Sequence, residues 1–240
     1  MKFYRNQEIE EIAQRRLEEL ERELRRPLTF PIPIDLIAEK ILGLDFLWEP
    51  IDEQPGEIVF GGLIPKRRLI VLNEKRRALF DQKPGLERST KGHEMGHWDL
   101  FVNQSTLDHP ELFQGLQDDQ IFALRSSPAG DVQVIKTLCG SPEGLELLRK
   151  IDARADDPNE ARTVNRYAAA LAMPRRLVRE EALKINRTAW PELYRLAEKF
   201  QVTITALTVR LEQLGLLYID EQRRLYESRD AAVGQTTLGF

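Results

Sequence analysis

Two of the three histidines in this 240-residue chain stand four positions apart in GHEMGHW (92–98), with a glutamate directly after the first. On an α-helix, residues i and i+4 share one face about one turn apart, so His93 and His97 can aim both imidazoles at one point. This constrains the fold more than any other feature. The segment must be helical, and other elements must cover it and complete the site. Glu94 lies about 100° round the helix from His93, close enough to reach a metal-bound water without itself being a ligand. The pattern is that of a zinc site: two imidazoles hold the ion, which polarises a carbonyl and lowers the pKa of its bound water toward roughly 7. Glu94 is then the general base, and peptide hydrolysis is the reaction class.

A catalytic zinc usually has three protein ligands and one open position. Cys139 is the only cysteine, so thiolate-rich sites and an intramolecular disulfide are excluded, and the remaining ligand must be His, Asp or Glu. Cys139 itself sits in KTLCGSPEG, which reads as a helix end and turn, and is expected to be a buried structural residue. His109 falls in the turn-like LDHPE, and Asp99 points away from the metal face. Glu160 opens a helix rich in small residues that can pack closely beside the first, with Asp156 and Asp157 as nearby competitors.

Apolar periodicity predicts an α+β, helix-rich fold. Residues 7–25 form an amphipathic helix, and a shorter one follows the prolines at 27, 31 and 33 and ends at Gly43. Strands are predicted at 44–48, 57–63 and 68–72, the last two as a hairpin or neighbours. Helices follow at 86–103, at 159–173 before Pro174, and at 177–185, with several short helices expected between 104 and 158. Residues 190–215 read as helix, turn, helix, with Thr203 capping the second helix and Gly215 ending it. A small strand pair and a polar, mobile tail complete the chain.

Net charge is −4, which argues against a large phosphate-binding surface. The second helix of the 190–215 segment is expected to expose Thr205, Thr208, Arg210 and Glu212, too sparse a set for reading base edges, so direct nucleic-acid binding is not expected. There is no apolar leader at the N-terminus and no run near the roughly 20 apolar residues that span a bilayer, so a cytoplasmic, non-membrane protein is expected.

Several features in order resemble the ImmA/IrrE family of metallopeptidases, a gluzincin-like group: PIPIDLIAEKILGLDFLWEP, strands ending in RLIVLN, the HEMGH helix, NRYAAALAMP, and LAEKFQVTITALTVRLEQLGLL. The resemblance implies a zincin-like peptidase domain over residues 1–189, with a small sheet beside the HExxH helix, and a helix-turn-helix-like segment over 190–226. It also implies a zinc ion held by His93, His97 and a glutamate, with Glu94 as base, and a protein substrate such as a helix-turn-helix repressor. The chain departs from the family pattern in three ways. Glu160 stands five residues before Asn165 rather than four, RSTKGHEMGH has a more polar lead-in, and the 62 residues between His97 and Glu160 imply an insertion at about 104–158. The competing expectation is a binding or regulatory protein on this scaffold that no longer cleaves.

The last six residues, QTTLGF, match a Q-x-x-L-x-F pattern that looks like the clamp-binding peptides of bacterial DNA polymerases and repair proteins. Gln235, Leu238 and Phe240 are the expected anchors on a sliding clamp, presented by a flexible tail spanning 227–240.

Overall fold

The computed structural model describes residues 3–53, 58–104, 107, 122–125 and 158–237. Cys139, His109, Asp156 and Asp157, most of the expected insertion, and Leu238 and Phe240 lie outside the described residues.

Helix α1 (Asn6–Leu24) buries Ile9, Ala13, Leu17 and Leu20, a single stripe at helical spacing. A short turn, α2 (Ile34–Leu36), continues as a π-helical stretch (Ile37–Leu42) that ends at Gly43 with φ +65°. Strands β1 (Asp45–Glu49), β2 (Val59–Ile64) and β3 (Leu69–Asn73) lie close to their predicted positions, with β2 and β3 paired antiparallel across a 3-10 turn (Pro65–Arg67). Where short helices were expected, Phe122–Arg125 instead forms a strand, β4, on the free edge of β2. The mixed sheet has the order β1-β3-β2-β4, with β1 parallel to β3. All five β3 residues are buried, as expected for a strand covered on both faces. Its last residue, Asn73, is a polar pin: its side chain accepts from the Ile51 amide at 3.0 Å and donates to the Val59 carbonyl at 2.8 Å.

Helix α3 (Arg77–Gln82) places Phe80 against Trp48 and Phe60 on the sheet. Helix α4 (Pro84–Phe101) carries the histidines and is buried continuously from Thr90 to Trp98, so it is the central helix of the molecule. Helices α5 (Pro158–Ala172) and α6 (Arg175–Ala182) meet at Pro174, as the sequence predicts. Helices α7 (Trp190–Phe200) and α8 (Ile204–Gln213) are joined by a short turn in which Gln201 is left-handed and the Thr203 hydroxyl accepts from the Ala206 amide at 3.1 Å. Strands β5 (Tyr218–Ile219) and β6 (Leu225–Tyr226) form the small pair. The tail differs from expectation: Arg229–Thr237 is a helix, α9, started by the Ser228 hydroxyl accepting from the Ala231 amide and anchored by buried Ala232. Gln235 lies within α9. Among the described residues, no helix is long and apolar enough to cross a membrane.

Two of the polar residues expected on the surface of α8 are inside instead. Thr208 is 8% exposed and Arg210 fully buried. The Arg210 guanidinium donates to the Met173 carbonyl at 3.0 Å and grips both carboxylate oxygens of Glu10 on α1. A guanidinium without a carboxylate in such a place is strongly unfavourable, so α8 belongs to the core rather than to a base-reading surface. Burial alone would raise the Glu10 pKa, but the hydrogen bonds and charge of Arg210, helped by Arg175 and Arg166, hold it below its ordinary 4.5. A carboxylate depressed in the fold contributes stability that is present above its unfolded pKa and lost as pH falls through the folded value. Glu10→Gln is therefore expected to cost about 2 kcal/mol at pH 7. The deficit should shrink below about pH 4. Chemical denaturation at neutral and acid pH measures both values, and an equal deficit at the two would remove the charge from the explanation.

Candidate metal centre

Mid-helix glycines cost roughly 1 kcal/mol each in propensity, and α4 carries two, Gly92 and Gly96, four residues apart. Their position explains them. A Cβ on Gly92 would stand 3.0 Å from the Ala168 Cβ, and one on Gly96 would stand 2.9 Å from the Val164 Cβ and 3.1 Å from its Cα. Helices α4 and α5 thus run antiparallel in near backbone contact, which brings the first turns of α5 against both histidines. The polar lead-in is also structural. Lys91 is 7% exposed, lies 3.0 Å from Asp35 and 2.7 Å from Glu87, and covers the Phe46 ring, so it ties α4 to α2 and β1.

His93, Glu94, His97 and Glu160 are all buried. The two imidazole rings are 4.8 Å apart, and their Nε2 atoms face each other at 3.0 Å. The Nδ1 of His93 is 2.8 Å from Asn165 Oδ1, and the Nδ1 of His97 is 3.2 Å from Glu160 Oε1. The Asn165 oxygen can only accept, so His93 carries its proton on Nδ1 and presents a bare lone pair at Nε2. Burial, with His97 adding to it and the Asn165 hydrogen bond opposing, drives the His93 pKa down to about 3, so this ring is neutral at pH 7.

The same reasoning applies to His97. With its proton on Nδ1, facing the Glu160 carboxylate, two bare lone pairs confront each other at 3.0 Å. With the proton on Nε2, a lone pair faces a carboxylate oxygen instead. A cation where the Nε2 atoms converge removes both conflicts, and two neutral imidazoles beside a carboxylate are a donor set suited to zinc. The residues present therefore fit a divalent metal.

Glu160 is the third ligand expected from the sequence. Among the described residues, no three His, Cys, Asp or Glu side chains form a ready ligand group. Glu160 faces the outer nitrogen of His97, on the first turn of a helix that begins at Pro158. The five-residue step to Asn165 accounts for this, since one extra residue turns a side chain about 100° from the family position. Asn165 served the sequence reading only as a landmark, and its role as the partner of His93 comes from the antiparallel docking. Asp99 points away from the histidine pair as expected, and accepts from Arg16 of α1 at 2.6 and 2.9 Å and from the Tyr167 hydroxyl at 2.7 Å, pinning the end of α4 to α1 and α5.

No protein-family model matches this chain, and no curated protein does.

If Asn165 sets the His93 tautomer, Asn165→Ala should weaken metal binding about 10- to 100-fold. Asn165→Asp, which keeps an acceptor at that position, should restore most of the loss. Titration of metal-free protein with zinc against a chromophoric chelator measures this, with circular dichroism confirming the fold. Unchanged affinity in Asn165→Ala would remove Asn165 from the site.

Proposed function

We propose that the protein is a zinc-dependent endopeptidase acting on a protein substrate, with His93 and His97 as ligands, Glu160 as the third, and Glu94 as general base. The observation that carries this reading is the pair of facing Nε2 atoms, each on a ring whose other nitrogen is occupied. Bound there, zinc supplies a polarised substrate carbonyl and an acidified water. The protein does the rest. Asn165 orients the His93 imidazole through its outer nitrogen, and both rings are held buried against α5. Glu94, next to His93 and fully buried, takes a proton from the attacking water as its oxygen bonds to the carbonyl carbon, then delivers that proton to the departing amine as the C–N bond breaks.

The resemblance to ImmA/IrrE peptidases supports this reading and suggests a helix-turn-helix repressor as the substrate class. A second reading, a metal-binding regulatory protein that does not cleave, is favoured by one observation: Glu160 faces His97 Nδ1 rather than the Nε2 pair. Metal analysis and two variants separate the readings. Purified protein should hold stoichiometric zinc. Glu94→Gln should keep the metal and lose hydrolysis of the substrate by about 100-fold or more. His97→Ala should lose both. Protein that takes up no zinc when it is supplied would overturn both readings, and zinc-loaded protein inactive toward every candidate repressor would favour the second.

We also propose that QTTLGF at 235–240 tethers the protein to a bacterial sliding clamp through Gln235, Leu238 and Phe240. Deleting these six residues should abolish binding to immobilised clamp, and equal binding by the full and shortened chains would exclude the tether.

A further inference from the structure

A cleft of about 590 Å³ runs along the seam between α4 and α5, roofed by α8. Helix α5 lines it with one stripe that includes Arg162, Asn165, Arg166 and Ala169 and runs on to Met173 just past its end. Helix α8 contributes Ala206, Val209 and Gln213 at helical spacing, and the first turns of α4 add Arg88 and Ser89. From Arg162 to Met173 the stripe is about 16 Å long, at 1.5 Å per residue. The two helices are antiparallel, so Arg88 stands toward the Met173 end and Arg162 at the opposite one. The cleft is thus an elongated groove with a floor of small apolar side chains, a polar rim and cations toward both ends.

Three arginines line this groove, and no described lining residue is acidic, in a chain of net charge −4. The cations are incompletely balanced. Arg88 donates one nitrogen to the Ile32 carbonyl, while its Nε is buried with no hydrogen-bond partner. Burial lowers the pKa of Arg88 and of Arg166; the carboxylates that act on Arg88, Asp35 and Glu87, are paired with Lys91, and the one that acts on Arg166, Glu10, is already gripped by Arg210. On the roof, Val209 is a 44% exposed aliphatic side chain.

We propose that this groove docks an extended acidic segment of a protein partner. An extended chain rises about 3.3 Å per residue, so the groove holds about five residues. The chemistry matches each part. Alanine floors allow a backbone to approach closely, Ser89, Asn165 and Gln213 can bond its amides, and Arg162 and Arg88 take carboxylates toward the two ends. A flat aromatic ligand would leave one cationic end unused. Asn165 lines the groove and holds His93, so the docked segment lies one side chain from the histidine pair. Assigning that segment to the protein that is cut rests on the peptidase reading, but the docking itself does not.

The test is fluorescence anisotropy with a labelled pentapeptide of alternating Glu and Ala, against a Lys/Ala counterpart, on metal-free and zinc-loaded full-length protein. The acidic peptide should bind about tenfold or more tightly than the basic one. Arg162→Gln, at an exposed position, should weaken it about tenfold. Val209→Glu, which leaves every arginine in place, should do the same by putting a carboxylate into the groove from its roof. Equal affinity for the two peptides, no effect of either substitution, or preference for a single-stranded oligonucleotide over the acidic peptide would each overturn the proposal. Docking that is intact in zinc-loaded protein without any cleavage would leave the groove standing and count against the peptidase instead.

Discussion

The structure depends on the near contact of α4 and α5 at Gly92 and Gly96. Without Cβ atoms at these positions the helix backbones approach until Ala168 and Val164 fill the gap. A methyl group at either site would push the helices apart or bend one of them. Three consequences follow from this single approach. Asn165 and Glu160 reach the outer nitrogens of the two histidines, Tyr167 reaches Asp99, and the seam between the helices becomes a groove floored by alanines. Each is a contact of only a few ångströms, so each would be lost at a conventional interhelical distance of 8–10 Å.

Buried charge then holds the other helices in register on this pair. Arg210 joins α8 to Glu10 on α1, Arg16 joins α1 to Asp99 on α4, and Lys91 joins α4 to Asp35 on α2. Pairs of this kind contribute little net stability over apolar packing, but a mispaired charge at these depths costs several kcal/mol. They therefore act mainly against wrong arrangements. Charge is also distributed unevenly: Glu10 and Glu19 of α1 are paired with Arg210 and Arg16, while arginines of α5 and of the start of α4 line the groove.

Within the centre itself, the balance is electrostatic. A proton on the Nε2 of neutral His97 can bridge the pair at 3.0 Å, but it leaves the Nδ1 lone pair facing the Glu160 carboxylate, and burial keeps His93 from taking up a further proton at neutral pH. The carboxyl group of Glu94 beside them is fully buried as well. The packing of α4 against α5 holds these donors together.

Much of the fold was legible because it rests on local rules. Apolar periodicity marked α1, α5, α7 and α8, Thr203 and Gly215 bounded α8, and the paired β-prone runs became β2 and β3. The spacing of His93 and His97 placed both on one helix face. Other features lay beyond sequence reasoning because they depend on which helix meets which. Arg210 and Thr208 read as surface residues until α8 packed against α1, and the small run around Phe122 became a strand only because β2 offered a free edge. The tail read as polar and unstructured, whereas Ser228 and buried Ala232 start a helix there. Sequence by itself determined which side chains could bind a metal, since that follows from residue chemistry and helical geometry. Only tertiary structure decided which nitrogen of each histidine faces inward, because that choice is made by Asn165 and Glu160, more than sixty residues away and brought close by two glycines.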